Sequence, residues 1–241
     1  MATSLIRSRA AITGTRDRFT WNEVKDGAVL QEDGIIAAVG TYDDLHAKHP
    51  TVPGKEILLP GFVNGHHHVG LTPVQLGSPD MPLELWFITR LVIRNLDLYL
   101  DTLYSAFEMI GSGVTTVQHI QGWLPGTLPE AEKRAAQTIK AYEDVGMRVS
   151  YCYAVRDQNR LVYQADEEFV RSLPTELRGP MQRWFDRFKM SLDDAMDMFK
   201  SFHSLHHNKR RVKIQLAPAN LHWCSDPALL SLIHISQGIV R

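Results

Sequence analysis

Strand-like and helix-like segments alternate along the chain from residue 57 onward, and this alternation constrains the fold more than any other feature. The apolar, strand-like segments cover residues 57–63, 113–120, 147–155 and 211–218. Apolar residues recur at helical spacing in residues 100–110 and 129–145, and Ser191 and Asp194 mark the start of a further helix. Such alternation predicts βα units around a parallel sheet, and a closed eight-stranded barrel would need about four more units. We therefore expect an α/β fold, the N-terminal part of a (β/α)8 TIM-type barrel that is truncated.

Residues 1–57 follow a different pattern of short β-like runs, in which Glu32-Asp33-Gly34 marks a turn between two apolar segments. We expect a small β-rich domain there. Further along, residues 161–189 are too long for a simple connection and carry Phe169, Trp184, Phe185 and Phe188. This segment is either a lid over the barrel mouth or a packed surface excursion.

The composition excludes several classes of partner. The 241 residues are 44% hydrophobic and 22% charged, with a formal net charge of −1. A chain with so little net charge is not expected to attract nucleic acid or an anionic membrane electrostatically. We expect a small-molecule substrate and leave a homo-oligomer of the intact protein open. The two cysteines, Cys152 and Cys224, are too few for a disulfide framework, and no apolar run is long enough to span a bilayer. These features indicate a cytoplasmic protein; the alternative is an Arg-rich organellar presequence at the start of the chain, where Arg7 and Arg9 lie.

Three consecutive histidines, His66, His67 and His68, follow the first barrel segment. Successive side chains of a strand point to opposite faces, so His66 and His68 share a face and His67 points the other way. The carboxyl end of a barrel strand is where such barrels build their sites, and a zinc-like ion needs fixed neutral nitrogens. We predict that His66 and His68 are metal ligands; a chance polar cluster is the alternative.

A second group of histidines, His203, His206 and His207, has helical spacing beside a run of basic residues. We expect this group to form a solvated face.

The stretch PGFVNGHHH, residues 60–68, resembles the first-strand signature of the amidohydrolase superfamily, whose members carry a His-x-His pair at this place. Other parts of the chain resemble its flanking β-sandwich, the segment after its first strand, its second strand and the end of its fourth strand: residues 27–40, 80–87, 113–117 and 217–230. The last stretch resembles the branch that contains atrazine chlorohydrolase and the guanine, cytosine and adenosylhomocysteine deaminases. The resemblance implies a partial β-sandwich over residues 1–57 and the first half of a metal-dependent hydrolase barrel over residues 58–229.

The fourth strand-like segment indicates which members of the superfamily the chain resembles. Two-metal members of the superfamily usually carry a carboxylated lysine at the carboxyl end of this strand, but here that end reads LAPAN, and Lys213 lies near the opposite end. The resemblance therefore implies one ion per active site, Zn²⁺ or Fe²⁺, that activates water. We expect a hydrolase of non-peptide carbon-nitrogen bonds, a deaminase of an amino-substituted heterocycle, or else a chlorohydrolase. The alternative of another class is a non-catalytic binding or scaffold protein on the same fold.

Residues in the loops after the strands are the candidates for substrate binding: His119, Trp123, Arg156, Asn220 and His222. Of these, His119 could orient the substrate, support a metal ligand from behind, or hydrogen-bond within the core. The resemblance implies that the catalytic acid-base residue and the remaining ligands lie downstream of residue 241.

Residues 230–241 are expected to be a non-native tail. The stretch LSLIHI, residues 230–235, is also the translation of a transposon end used in preparing sequencing libraries, and the tail has no helical period. We therefore do not count His234 as a ligand, and we expect the chain to be an inactive N-terminal fragment.

Overall fold

The computed structural model describes residues 3–48, 51–52, 57–68, 81–89, 97–122 and 124–239. The chain forms two compact units, Met1–Gly61 and Phe62–Arg241. The boundary between them follows residue 61, just before the first strand of the second unit. The sequence analysis predicted this boundary four residues earlier, after residue 57.

The first unit consists of short strands in two small sheets. The strands are β1 (Thr3–Arg7), β2 (Ala10–Thr15), β3 (Trp21–Lys25), β4 (Gly27–Glu32), β5 (Ile35–Thr41), β6 (Thr51–Val52) and β7 (Ile57–Leu58), and the helical turns are α1 (Tyr42–Leu45) and a 3-10 helix (His46–Lys48). One sheet has the order β5-β4-β1-β6 and the other β3-β2-β7. Asp33 and Gly34 take positive φ angles of 49° and 83° between β4 and β5, as the predicted turn requires.

The second unit is a parallel sheet in which each strand is followed by helical structure. Its strands are β8 (Phe62–His67), β9 (Val114–Gln121), β10 (Arg148–Val155) and β11 (Val212–Pro218), in the order β11-β10-β9-β8. Its helices are α2 (Leu83–Thr89), α3 (Leu98–Gly111), α4 (Leu128–Val145), α5 (Asp166–Ser172), α6 (Thr175–Arg187), α7 (Leu192–His206) and α8 (Asp226–Ile239). All three strand pairings are parallel, as the alternation of segments predicts.

Local caps explain where the long helices begin and end. Thr127 and Glu130 form a capping box at the start of α4, and Gly146 ends that helix with a φ of 75°. Ser191 and Asp194 form the predicted capping box of α7. The apolar faces of α4 and α7 and the outward faces of β9, β10 and β11 together bury a common core.

The prediction of a single buried strand over residues 57–63 was wrong. Ile57 and Leu58 pair with β2 in the first unit, and a separate strand begins at Phe62. Phe62 is 57% exposed and Val63 68% exposed. The cause is their position, since among the described strands β8 is an edge strand that pairs only with β9.

The tail forms a helix although its sequence has no helical period. Helix α8 runs without a break through residues 230–235, and Leu232 is buried against Val155, Ala195 and Met196. Contacts with residues far away in sequence therefore stabilise a helix that the local pattern does not predict. The origin of the tail stays a prediction.

The segment between β10 and α7 is helical and has an apolar core of its own. Leu161, Val170, Met181 and Phe185 are buried there, with Trp86 packed against them. At its start, Arg160 and Asp166 form an ion pair of 2.6 Å between Nε and Oδ2, and both side chains are little exposed. Such packing favours the interpretation of residues 161–189 as a packed surface segment and not as a lid over the barrel mouth.

Within the described residues, none of the helices combines the length and the apolar character that crossing a bilayer demands.

Candidate functional site

The three consecutive histidines lie at the carboxyl end of β8. His66 and His68 lie on one face, where their Nε2 atoms are 2.9 Å apart and their ring planes are nearly perpendicular, at 82°. His67 turns away from them, and its ring lies 6.1 Å from the ring of His119 in the neighbouring strand. The structure thus brings together the two histidines that strand alternation assigns to one face.

The orientation of His68 is fixed by a backbone group. Its Nδ1 lies 2.7 Å from the carbonyl oxygen of Ile120 in β9. Because a carbonyl oxygen can only accept, Nδ1 carries the hydrogen, and Nε2 is left with its lone pair directed at His66. The backbone N–H of His66 donates to Oδ1 of Asn64 at 3.2 Å, a local contact within β8.

The two imidazoles fit a zinc-like ion. Two ring nitrogens 2.9 Å apart need a proton or a cation between them, since their lone pairs otherwise repel. Zinc lies about 2.0–2.1 Å from the nitrogens that bind it, so two such nitrogens in a tetrahedral site are roughly 3.4 Å apart. The two Nε2 atoms would therefore have to separate by only about 0.5 Å to bind the ion. Among the described residues, no group of three or more His, Cys, Asp or Glu side chains converges on one point. The described part of the chain would therefore supply two ligands to such a site.

His67 lies between the strand and the helices, half-buried. Within the described residues its buried Nε2 has no hydrogen-bond partner. Burial lowers the pKa of His67, and the neighbouring His68 and His66 lower it further. A neutral ring on the face opposite to the pair is not placed to be a ligand.

His119 is fully buried on the helix side of β9. Its Nδ1 lies 3.0 Å from the hydroxyl of Tyr142 in α4, its Nε2 lies 3.2 Å from Oε1 of Gln121, and its ring stacks on Tyr151. Burial lowers its pKa to about 3, with a smaller contribution from His67. The ring is therefore neutral, and it faces away from His66 and His68. Of the three roles predicted for His119, this placement disfavours substrate contact and leaves support from behind or core packing.

Hydrogen bonds join the loop after β10 to the loop after β11, and we call the bonds of Asp157 and Asn159 to Ser225 and His222 the clamp. The carboxylate of Asp157 accepts hydrogen bonds from the backbone N–H and the hydroxyl of Ser225, at 2.8 and 2.6 Å. The side-chain amide of Asn159 donates to the carbonyl oxygen of His222 at 2.8 Å. Sequence reasoning missed this clamp, because its partners are 63 and 68 residues apart.

The clamp also places the predicted loop residues. The guanidinium carbon of Arg156 lies 3.5 Å from the ring centroid of Trp223, and the ring of His222 packs against Tyr163. The side chain of Asn220 accepts a hydrogen bond from the backbone of Trp223 at 2.9 Å, so it shapes the loop. Arg156, Asn220 and His222 thus gather at the carboxyl ends of neighbouring strands. Trp123 lies outside the described residues.

The second histidine group is not the solvated face that we expected. His203, His206 and His207 are all partly buried, and the rings of His203 and His207 stack 4.1 Å apart. Nδ1 of His207 lies 3.1 Å from both the backbone N and the carbonyl O of Ile214. The difference arises because the end of α7 packs on β11, a contact that helical spacing alone does not reveal.

Comparison with known proteins shows what the chain is similar to. Residues 27–51 match the family model of the bacterial imidazolonepropionase-like composite domain. A curated relative, the 5-methylthioadenosine/S-adenosylhomocysteine deaminase of Syntrophomonas wolfei, is 26% identical over 146 residues, which are 58% of this chain and 34% of that protein. Together these matches support an amidohydrolase superfamily member. The 5'-deoxyadenosine deaminase of Methanosarcina barkeri is 25% identical over 160 residues, which are 64% of this chain and 34% of the deaminase.

Solved structures share the fold of this chain. A triazine hydrolase from Arthrobacter aurescens matches with a TM-score of 0.72 and 18% identity, over 99% of this chain and 51% of that one. The guanine deaminase of E. coli matches with a TM-score of 0.68 and 14% identity, over 99% and 50%. The atrazine chlorohydrolase of Arthrobacter aurescens, complexed with zinc, gives 0.70 and 19%, over 98% and 51%. The chain thus spans about half the length of these structures and a third of the curated relatives described above.

Proposed function

We propose that the protein to which this chain belongs is a metal-dependent hydrolase of non-peptide carbon-nitrogen bonds that deaminates an amino-substituted heterocycle. The observation that carries this proposal is the His66–His68 pair, with two Nε2 atoms 2.9 Å apart at the carboxyl end of the first strand of a parallel βα sheet. Relatives that are named as deaminases of adenosine derivatives support the reaction class.

His66 and His68 would hold one ion, which we propose to be zinc, as in the zinc complex of the similarly folded atrazine chlorohydrolase. When bound, such an ion supplies a Lewis acid that activates water at neutral pH. His68 is ready for this role because the Ile120 carbonyl fixes its Nδ1–H form. A closed eight-stranded barrel would provide the remaining ligands, and an acid-base residue beyond residue 241 would move the proton.

Arg156, Asn220 and His222 are proposed to line the substrate pocket. Their support is their position at the carboxyl ends of β10 and β11, the same end of the sheet as His66 and His68. Arg156 is 9% exposed and its guanidinium stacks on Trp223, an arrangement that holds a cation close to this end of the sheet. Trp123 stays a prediction. We also propose a cytoplasmic location, since Cys152 and Cys224 are both buried free thiols.

A substrate panel tests the proposal on the complete gene product. Metal content is measured by mass spectrometry, and ammonia and chloride are measured with 5'-deoxyadenosine, 5'-methylthioadenosine, S-adenosylhomocysteine, guanine and atrazine. We expect about one zinc per subunit and ammonia release from at least one adenosine derivative. Release of chloride without ammonia would show that the protein is a chlorohydrolase and not a deaminase. A folded protein with neither product, whose stability does not depend on the metal, would favour the scaffold alternative.

A further inference from the structure

The carbonyl oxygen that orients His68 lies between two buried polar side chains. Ile120 stands near the end of β9, flanked by His119 and Gln121, whose side chains are 0% and 3% exposed. Both neighbours point toward the helices, as alternation along a strand requires, and the carbonyl of Ile120 points along the sheet to His68. Polar residues are unusual at two successive core-facing positions of a strand, because burying them is unfavourable unless they are hydrogen-bonded.

A continuous chain of hydrogen bonds satisfies these two side chains. The neutral ring of His119 donates from Nε2 to Oε1 of Gln121 at 3.2 Å and accepts at Nδ1 from the hydroxyl of Tyr142 at 3.0 Å. The hydroxyl of Thr138 donates to the same Oε1 at 3.4 Å. Tyr142 and Thr138 lie on one face of α4, so the helix holds both side chains of the strand at once.

The strand on the other side adds a further restraint. The thiol of Cys152 in β10 lies 3.5 Å from the carbonyl oxygen of His119, and Cys152 pairs with Ile120 in the sheet register. The peptides on both sides of the Ile120 carbonyl are therefore held by contacts that lie outside the metal site.

We propose that His119 and Gln121 are positioning residues of the metal site, which act with Tyr142 by holding the Ile120 carbonyl against Nδ1 of His68. This inference rests on the proposed function for the role of His68 as a ligand. The helix layer thereby controls the direction of a ligand lone pair on the opposite face of the sheet. Outer partners of metal-ligating histidines commonly change metal affinity by about 10- to 100-fold.

The first test needs neither metal nor substrate. Long-range ¹H–¹⁵N spectra of the full chain, labelled with ¹⁵N-histidine, report which nitrogen of His68 carries the hydrogen, and a His68→Ala spectrum gives the assignment. We expect the Nδ1–H form in the unaltered protein. In Tyr142→Phe and in His119→Phe, which keeps a ring to stack on Tyr151, we expect a mixture of the two forms.

Tyr151→Phe is the matched control. It also removes one buried tyrosine hydroxyl, and Tyr151 stacks on the same ring of His119, but its hydroxyl has no hydrogen-bond partner among the described residues. We expect its His68 spectrum to be that of the unaltered protein. If His119→Phe does not fold, Tyr142→Phe decides the matter, since it removes a single oxygen atom.

The second test measures the affinity of the complete protein for Zn²⁺ by competition with a chelating dye. Tyr142→Phe is expected to weaken binding by about 10-fold and Tyr151→Phe to leave it unchanged. An unaltered His68 spectrum together with unaltered affinity in Tyr142→Phe would overturn the inference. If instead His68→Ala binds zinc as well as the unaltered protein, the proposed function fails, and the spectra still decide whether the network orients His68.

Discussion

At the scale of single residues, identical side chains in one run of sequence have different chemistry because of the face on which each lies. His66 and His68 meet through their Nε2 atoms, and the ring of His67 lies on the helix side, where burial lowers its pKa. Alternation of side chains along a strand produces this division, and no other property of the three residues does.

The first prediction concerns this division in the complete protein. His66→Ala and His68→Ala are each expected to abolish metal retention and ammonia release, since each removes a ligand nitrogen. His67→Ala is expected to retain both, because it removes a buried nitrogen without a hydrogen-bond partner in the described structure. Metal content and turnover of the three purified variants check this. An equal loss in a folded His67→Ala protein would show that the assignment of faces is wrong.

A second prediction concerns Cys152, a buried thiol. Burial raises its pKa to about 11, so at pH 8 only about one thiol in a thousand is the reactive thiolate. Because the folded-state pKa lies above that of an exposed thiol, alkylation should be far slower in the native protein than in the urea-unfolded one. Mass spectrometry after iodoacetamide treatment measures this. The pKa of Cys224 is also raised by burial, so fast labelling of either cysteine in the native state would contradict the described packing.

At the scale of elements, caps and periodicity set the helices, and packing decides whether a weak segment joins them. Helix α4 begins at a capping box and ends at Gly146, both of which the sequence displays. Helix α8 lacks such a pattern in its second half, and it forms where Leu232 packs against α7 and β10.

The third prediction tests that packing with two leucines of the same helix. Leu232 is 6% exposed and Leu230 is 55% exposed. Leu232→Ala should lower the free energy of unfolding by about 2–3 kcal/mol, because it leaves a cavity in the core. Leu230→Ala should change it little. Urea unfolding followed by circular dichroism gives both values, and equal effects of the two changes would mean that α8 does not pack as described.

At the scale of the whole molecule, the described residues form part of a site and leave apolar surface exposed. Leu100, Tyr104 and Phe107 form an exposed stripe along α3, and Phe62 and Val63 are exposed on β8. Surfaces of this kind promote association.

The fourth prediction is that the 241-residue chain by itself self-associates. Sedimentation velocity over a range of concentrations should show species larger than a monomer, and replacing Leu100 and Phe107 by Glu and Lys, which also favour helices, should reduce them. A monodisperse monomer at all concentrations would contradict it.

The fifth prediction is that the same 241-residue chain binds zinc weakly and does not turn over the substrates of the panel. Its described residues bring two imidazoles together and no third ligand group. Catalytic zinc sites commonly have three protein ligands. Equilibrium dialysis and ammonia release measure both properties. Tight, stoichiometric zinc with turnover would require ligands beyond the two histidines.

The sequence by itself determined the order of the elements and the division of the histidines between two faces. The alternation of strand-like and helix-like segments and the cap at Ser191 are local signals, and both reappear in the structure, except that the first strand of the second unit begins at Phe62 and not at Ile57. The pairing of His66 with His68 follows from the same local rule of alternation.

Only the tertiary structure decided which faces are covered and which distant groups meet. Periodicity predicts that His119 and Ile120 point to opposite sides of β9, but it does not say which side faces the helices. The hydrogen bond from His68 to Ile120 joins residues 52 positions apart, and the clamp between Asp157 and Ser225 spans 68 positions. Such contacts depend on how separate elements pack, because no local pattern encodes the partner of a side chain that lies on another strand or helix.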